Sequence, residues 1–88
     1  MIEFTGQTTG TCLPLAAKLD LNKLGQIKLK ATDEDMFLLE VPGLGVSLMA
    51  DAGEQVSQNL VPNRAGIYPF TCGVHGAPTQ TTGKITVE

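Results

Sequence analysis

Hydrophobic residues alternate with polar ones along most of this chain. Gln26-Ile27-Lys28-Leu29-Lys30-Ala31 puts Ile27 and Leu29 on one side and lysines on the other. Lys18-Leu19-Asp20-Leu21, Val46-Ser47-Leu48 and Ile85-Thr86-Val87 repeat the pattern. Tyr68, Phe70 and Cys72 share a side if one strand runs unbroken from Gly66. A period of two marks strands with one buried face. It predicts a core containing Ile27, Leu29, Val46, Leu48, Phe70, Ile85 and Val87.

Turn-forming residues punctuate these runs: Gly6, Gly10, Asn22 to Gly25, Asp33 to Asp35, Pro42-Gly43, Asp51 to Gly53, Pro62-Asn63 and Gly76 to Pro78. They recur at roughly 8–12 residues, the spacing of an all-β sandwich or barrel. Seven or eight short strands follow, near 1–8, 15–21, 26–32, 36–41, 45–49, 54–61, 66–72 and 82–87. The stretch from Ala50 to Leu60 also reads as a helical turn, because Ala, Glu and Gln are poor strand formers. Pro69 has no N–H to give to a ladder, so it belongs at an edge or a bulge.

Eighty-eight residues suit one domain over 1–88 and leave no room for a second core. Leu, Ile, Val and Phe number 11, 4, 6 and 3, enough to rule out a disordered chain. Six basic against nine acidic residues give a net charge of −3. That balance argues against nucleic-acid binding, which needs a concentrated basic surface, and against docking on an anionic membrane. No apolar run reaches the roughly 18–20 residues of a membrane span, and no signal peptide precedes the first strand-like segment. The opening Met1-Ile2-Glu3-Phe4 reads as a small cytosolic protein, a trimmed mature domain or a piece of a larger chain. No phosphate-cradling glycine loop is present, and Cys-His nucleophilic catalysis lacks an orienting third group, so no enzymatic activity is expected.

The chemical signal lies in the last 23 residues. Gly66-Ile67-Tyr68-Pro69-Phe70-Thr71-Cys72 forms a strand, Gly73-Val74-His75 follows, and a short loop leads into Gly83-Lys84-Ile85-Thr86-Val87. A soft sulfur and an imidazole on a tight loop between two strands suit copper or zinc. Cys72 and His75 alone also fit a core cysteine beside a solvent-facing loop histidine. The surrounding string resembles the C-terminus of the cupredoxins, the plastocyanin-like and amicyanin-like proteins, and the related copper domain of cytochrome oxidase subunit II. Val41-Pro42-Gly43-Leu44-Gly45-Val46 followed by Ala52-Gly53-Glu54 is similar to the middle of the subunit II-type domain. The resemblance covers about half the chain and implies a Greek-key β-sandwich with copper near one end.

Carried over, the resemblance makes Cys72 the thiolate ligand and His75 the C-terminal imidazole. The family's first histidine falls near Phe37, and His75 is the only histidine. The axial methionine falls on Thr81, next to Gln80, whose amide oxygen is a candidate weak axial ligand. The two-His, one-Cys, one-Met blue-copper set is incomplete.

Cys12, in Cys12-Leu13-Pro14, is the leading replacement. The resemblance places it in the core toward the metal end, within reach of Cys72. Three readings stay open for it: a Cu(I) ligand, a Cys12–Cys72 disulfide, or an inert core cysteine. Met49 and Met36 are thioether candidates, Met49 also reading as core filler and Met36 as a strand-start core residue. Glu40 fits solvent exposure better than ligation. Asp33-Glu34-Asp35 reads as a solvated turn.

Two thiolates and one imidazole favour Cu(I). The expected function is a copper-binding domain that holds or relays Cu(I) between copper donor and acceptor proteins, a membrane copper protein among the candidates. The location expected for such a trimmed domain is periplasmic or extracytoplasmic. The alternatives are an electron carrier of the same family, its centre completed by Cys12, an exogenous group or a second chain, and a metal-free interaction module.

Overall fold

The structure is a computed structural model and describes residues 2–78 and 80–88. Met1, assigned above to the first strand, lies outside the described residues. Among the described residues nine strands form, β1 (Ile2–Gly6), β2 (Cys12–Leu13), β3 (Ala16–Leu19), β4 (Gly25–Lys30), β5 (Phe37–Val41), β6 (Val46–Ala50), β7 (Gln55–Leu60), β8 (Gly66–Val74) and β9 (Thr81–Val87). The one helical element among the described residues is a 3-10 turn at Pro42–Leu44, closed by Gly45 at φ 68°. Left-handed backbone of that kind favours glycine, which lacks the clashing Cβ.

The strands make two sheets, ordered β2-β1-β4-β7 and β3-β9-β8-β5-β6. Five of the seven pairings are antiparallel; β1–β4 and β3–β9 are parallel. The chain leaves one sheet for the other after β2, β3, β4, β6 and β7, which gives an all-β sandwich with Greek-key crossings. All seven residues predicted inside are buried, joined by Phe4, Phe37, Leu39, Val41 and both cysteines. Phe4 and Phe70 meet edge to face across the core, ring centroids 4.8 Å apart.

Two local differences from the sequence reading and one alternative it left open have physical causes. The expected strand near 15–21 is shorter and is preceded by a two-residue strand, β2, which pairs Cys12 with Gly6 and Leu13 with Thr5. Two residues are too few to show a period. The expected strand near 54–61 forms as β7, and the helical-turn alternative for Ala50 to Leu60 does not, because pairing with β4 overrides the weak strand propensity. The strand predicted to stop at Cys72 runs on to Val74, carried by the pairing of Val74 with Phe37. Pro69 faces Lys84 in β9, and the β5 ladder begins only at Thr71, so one side of Pro69 is open.

Candidate functional site

Four connections gather at one end of the sandwich. They are residues 7–11 between β1 and β2, 31–36 between β4 and β5, 51–54 between β6 and β7, and 75–80 between β8 and β9. Alternation fixes which side chains enter the core just beneath them. Cys72 lies opposite Leu39 on β5 and Thr81 on β9. Leu39 in turn lies opposite Leu48, and Cys72, Leu39 and Leu48 are all buried. Cys12 projects into the same core from the other sheet.

The two sulfurs are bonded: Cys12 and Cys72 form a disulfide with S–S 2.07 Å and Cα–Cα 6.0 Å. Both residues are 0% exposed. The bond ties β2 of one sheet to β8 of the other, 60 residues apart in sequence. Of the three readings open for Cys12, this is the bridge.

His75 stands on the exposed hairpin beyond β8. Its backbone N–H donates to the Met36 carbonyl at 2.8 Å, which pins the hairpin to the β4–β5 connection. Gly76 turns the chain at φ 83°, and the Ala77 N–H donates back to the Val74 carbonyl at 3.1 Å. Gln80 closes this loop from within. Its amide nitrogen donates to the Val74 carbonyl at 2.9 Å and weakly to that of Ala77 at 3.4 Å. The Gln80 side chain also lies over Gly73, where an added Cβ would stand 2.8 Å from its Oε1.

The other sequence candidates separate from this group. Phe37, at the family's first-histidine position, is fully buried, with its ring against Gly6. Met36 is half-buried, and its backbone carbonyl accepts the His75 N–H. Met49 is 51% exposed and lies opposite Leu38, on the face of its sheet away from Cys72. It is neither core filler nor within the Cys12–Cys72 group. Glu40 is exposed on that outer face, between Ser47 and Thr71.

Two features of this end were not visible in the sequence. A cleft of about 660 Å3 opens between the 7–11 connection and the hairpin, lined by Thr8 to Thr11, Val74, Ala77, Gln80 and Thr81. Thr11 precedes Cys12 and Thr81 pairs with Cys72, so the cleft lining includes a neighbour of each cysteine. The second feature is charge. The Gly53 N–H donates to the Thr32 carbonyl and the Ala31 N–H to that of Glu54, which knits two connections together. Asp33, Glu34, Asp35, Asp51 and Glu54 therefore share this end, and the four connections hold no Lys or Arg. Five of nine carboxylates sit here, so with a net charge of −3 the rest of the chain carries +2 (−3 minus −5). Only the loop pairing brings the two acidic runs together.

The donor set decides which copper chemistry fits. A blue-copper centre needs two imidazoles and a thiolate, and the chain has one histidine and no free cysteine in this state. Among the described residues no group of three or more His, Cys, Asp or Glu side chains could hold a metal. Once the disulfide is reduced, the two sulfurs are held by backbones 6.0 Å apart. That separation accommodates two metal–sulfur bonds of about 2.3 Å, so the dithiol form fits a soft ion.

No family model matches the chain, and no curated protein matches it in sequence. Solved structures do match. The metal binding domain of the Streptococcus pneumoniae D39 Cu(I) exporting P-type ATPase CopA, with Cu(I), is 16% identical, with a TM-score of 0.75 over 99% of this chain and 83% of that one. A heme-copper terminal oxidase is 18% identical, with a TM-score of 0.76 over 98% of this chain; the chain spans 63% of the oxidase chain. A purple cupredoxin from Nitrosopumilus maritimus is 14% identical, with a TM-score of 0.62 over 100% of both. The chain has the cupredoxin fold, as the C-terminal string implied.

Proposed function

We propose that this protein is a cupredoxin-fold copper carrier, not an enzyme, that holds and relays Cu(I) when its disulfide is reduced. Cys72 and Cys12 supply the two thiolates; His75, exposed on the hairpin beyond β8, would join them only by a movement of that hairpin, since among the described residues no three such side chains are grouped in the oxidised state. The observation that carries the reading is the meeting of Cys12 with Cys72 beneath the hairpin that bears His75. A copper domain with one histidine needs a second soft donor, and β2 delivers one. The fold shared with a Cu(I)-bound metal binding domain adds support.

Loading requires a dithiol reductant, which gives two electrons and two protons to the bond and leaves as its own disulfide. Cu(I) then displaces the thiol protons. Transfer to an acceptor is ligand exchange with no change of oxidation state. The acidic rim attracts cations and a basic partner face, which supports a copper donor or acceptor, membrane-bound ones included. The disulfide itself supports an extracytoplasmic location. No helix among the described residues is long and apolar enough to cross a membrane.

One observation favours a second reading. The bond consumes both thiols and leaves a stapled, metal-free interaction module. Anaerobic competition for Cu(I) against a chromophoric chelator, before and after reduction, separates the two. The copper reading expects one equivalent bound by the reduced protein alone. Reduced, folded protein that takes no Cu(I) establishes the module.

A further inference from the structure

The two lateral sides of the sandwich are not defended alike. On one side the edge strands are β2, two residues long and followed by Pro14, and β3, which carries Lys18 in an ion pair with Glu88 at 3.0 Å. Short length, proline and lysine are the usual devices against edge-to-edge pairing. On the other side the edges are β6 (Val46–Ala50) and β7 (Gln55–Leu60). Neither contains a charge, a proline or a glycine. β7 is the longest edge strand of the four, and its outer ladder groups have no strand beside them.

We infer that β7 pairs antiparallel with β7 of a second copy of this chain, extending β2-β1-β4-β7 into a continuous eight-stranded sheet across a two-fold axis. A two-fold perpendicular to the sheet places some residue opposite itself, and centring it on Gln58 makes the strand self-complementary. Val56 then lies opposite Leu60 of the second copy, and Leu60 opposite its Val56. These two residues already share the inner face, since they pair with Leu29 and Gly25 on β4 and pack against the core. Ser57 lies opposite Asn59 on the outer face, two small hydrogen-bonding side chains. A shift of one residue to centre on Ser57 sets Val56 against Gln58 and loses the apolar match.

Charge selects the same orientation. β7 runs from the acidic connection with Asp51 and Glu54 toward Arg64. In an antiparallel pair, the end of β7 that leads to Arg64 lies beside the end of the second copy's β7 that follows Asp51 and Glu54, and symmetry makes this approach twice. A parallel copy would set acid against acid.

The test is sedimentation of the oxidised protein from low to high micromolar concentration, with two double variants. Ser57→Glu with Asn59→Glu places carboxylates directly opposite one another across the interface. Within the chain Ser57 pairs with Lys28, so the fold tolerates a carboxylate at that position. Ser57→Glu with Asn59→Lys instead places opposite charges across the same positions. We expect wild-type dimer, roughly tenfold weaker association in the first variant, and retained association in the second. Wild type that stays monomeric, or a dimer indifferent to the first variant, overturns the pairing. Circular dichroism of each variant verifies that the sandwich is intact.

Discussion

Reducing the Cys12–Cys72 bond is the most informative single perturbation, because it touches stability and metal capacity together. The bond closes a loop of 60-residue separation. In the chain-entropy account, opening such a loop releases about 4 kcal/mol of unfolded-state freedom at room temperature. A chain of this size has about 4–13 kcal/mol in total, so reduction removes a third or more of it. Denaturing temperature should fall by roughly 15–30 °C, at about 4–8 °C per kcal/mol for domains this small. The bridge also joins the two sheets, so its loss loosens the layer contact between β2 and β8 rather than one local turn. The assay is differential scanning calorimetry with and without a phosphine reductant, with alkylation and mass analysis to prove that both thiols are free. Cu(I) added at about a hundredfold above its dissociation constant should restore about 2.7 kcal/mol, since only the folded dithiol binds it. Full reduction with an unchanged transition temperature would refute the loop-closure reasoning. A lowered transition that Cu(I) does not raise would refute the ligand assignment while leaving the bridge argument standing.

In a chelator competition on reduced protein, Cys72→Ser should remove most Cu(I) affinity and His75→Ala should weaken it less, because two thiolates hold Cu(I) in near-linear geometry. Gln80→Ala should matter least, its amide being engaged with the Val74 carbonyl, and unchanged affinity in Cys72→Ser defeats the assignment. The same titration at falling pH should show weaker binding as protons compete for the sulfurs and the imidazole; affinity independent of acid would argue against thiolate ligation. Cu(II) added to the protein should give no intense, persistent blue band, because one histidine cannot complete the trigonal set, and such a band would return the electron-carrier reading to first place. Gly83→Ala should destabilise by about 1–3 kcal/mol in chemical denaturation, because a Cβ there meets the Leu15 carbonyl and the Phe70 ring; a change within about 0.5 kcal/mol would show that the approach is not tight.

What the sequence disclosed and what it withheld divide along a physical line. Alternation is local, so the buried faces of β4, β6, β8 and β9 could be read from six or seven residues at a time, Ile27 with Leu29 and Ile85 with Val87. β2 has no period to read, and its position was fixed only by pairing with β1, yet it is the strand that delivers Cys12. Local propensity argued against a strand at Gln55 to Leu60, and the partner strand β4 decided otherwise. The two acidic runs are separated by 15 intervening residues, from 36 to 50, and meet only because β5 and β6 form a hairpin that returns to the same end. Met49 shows the converse: a thioether in a strand next to the right one, turned to the wrong face by the same alternation that buries Leu48. The cysteine pair is a different case. Residue type and the cupredoxin-like string sufficed to expect Cys12 near Cys72, but proximity is common to a bridge and a dithiol, and the two differ by two electrons and two protons that no residue encodes. The reduction state is set by the surroundings of the protein, through exchange with other thiols. On the proposed function, copper capacity would therefore be a property of the chain and its redox surroundings together.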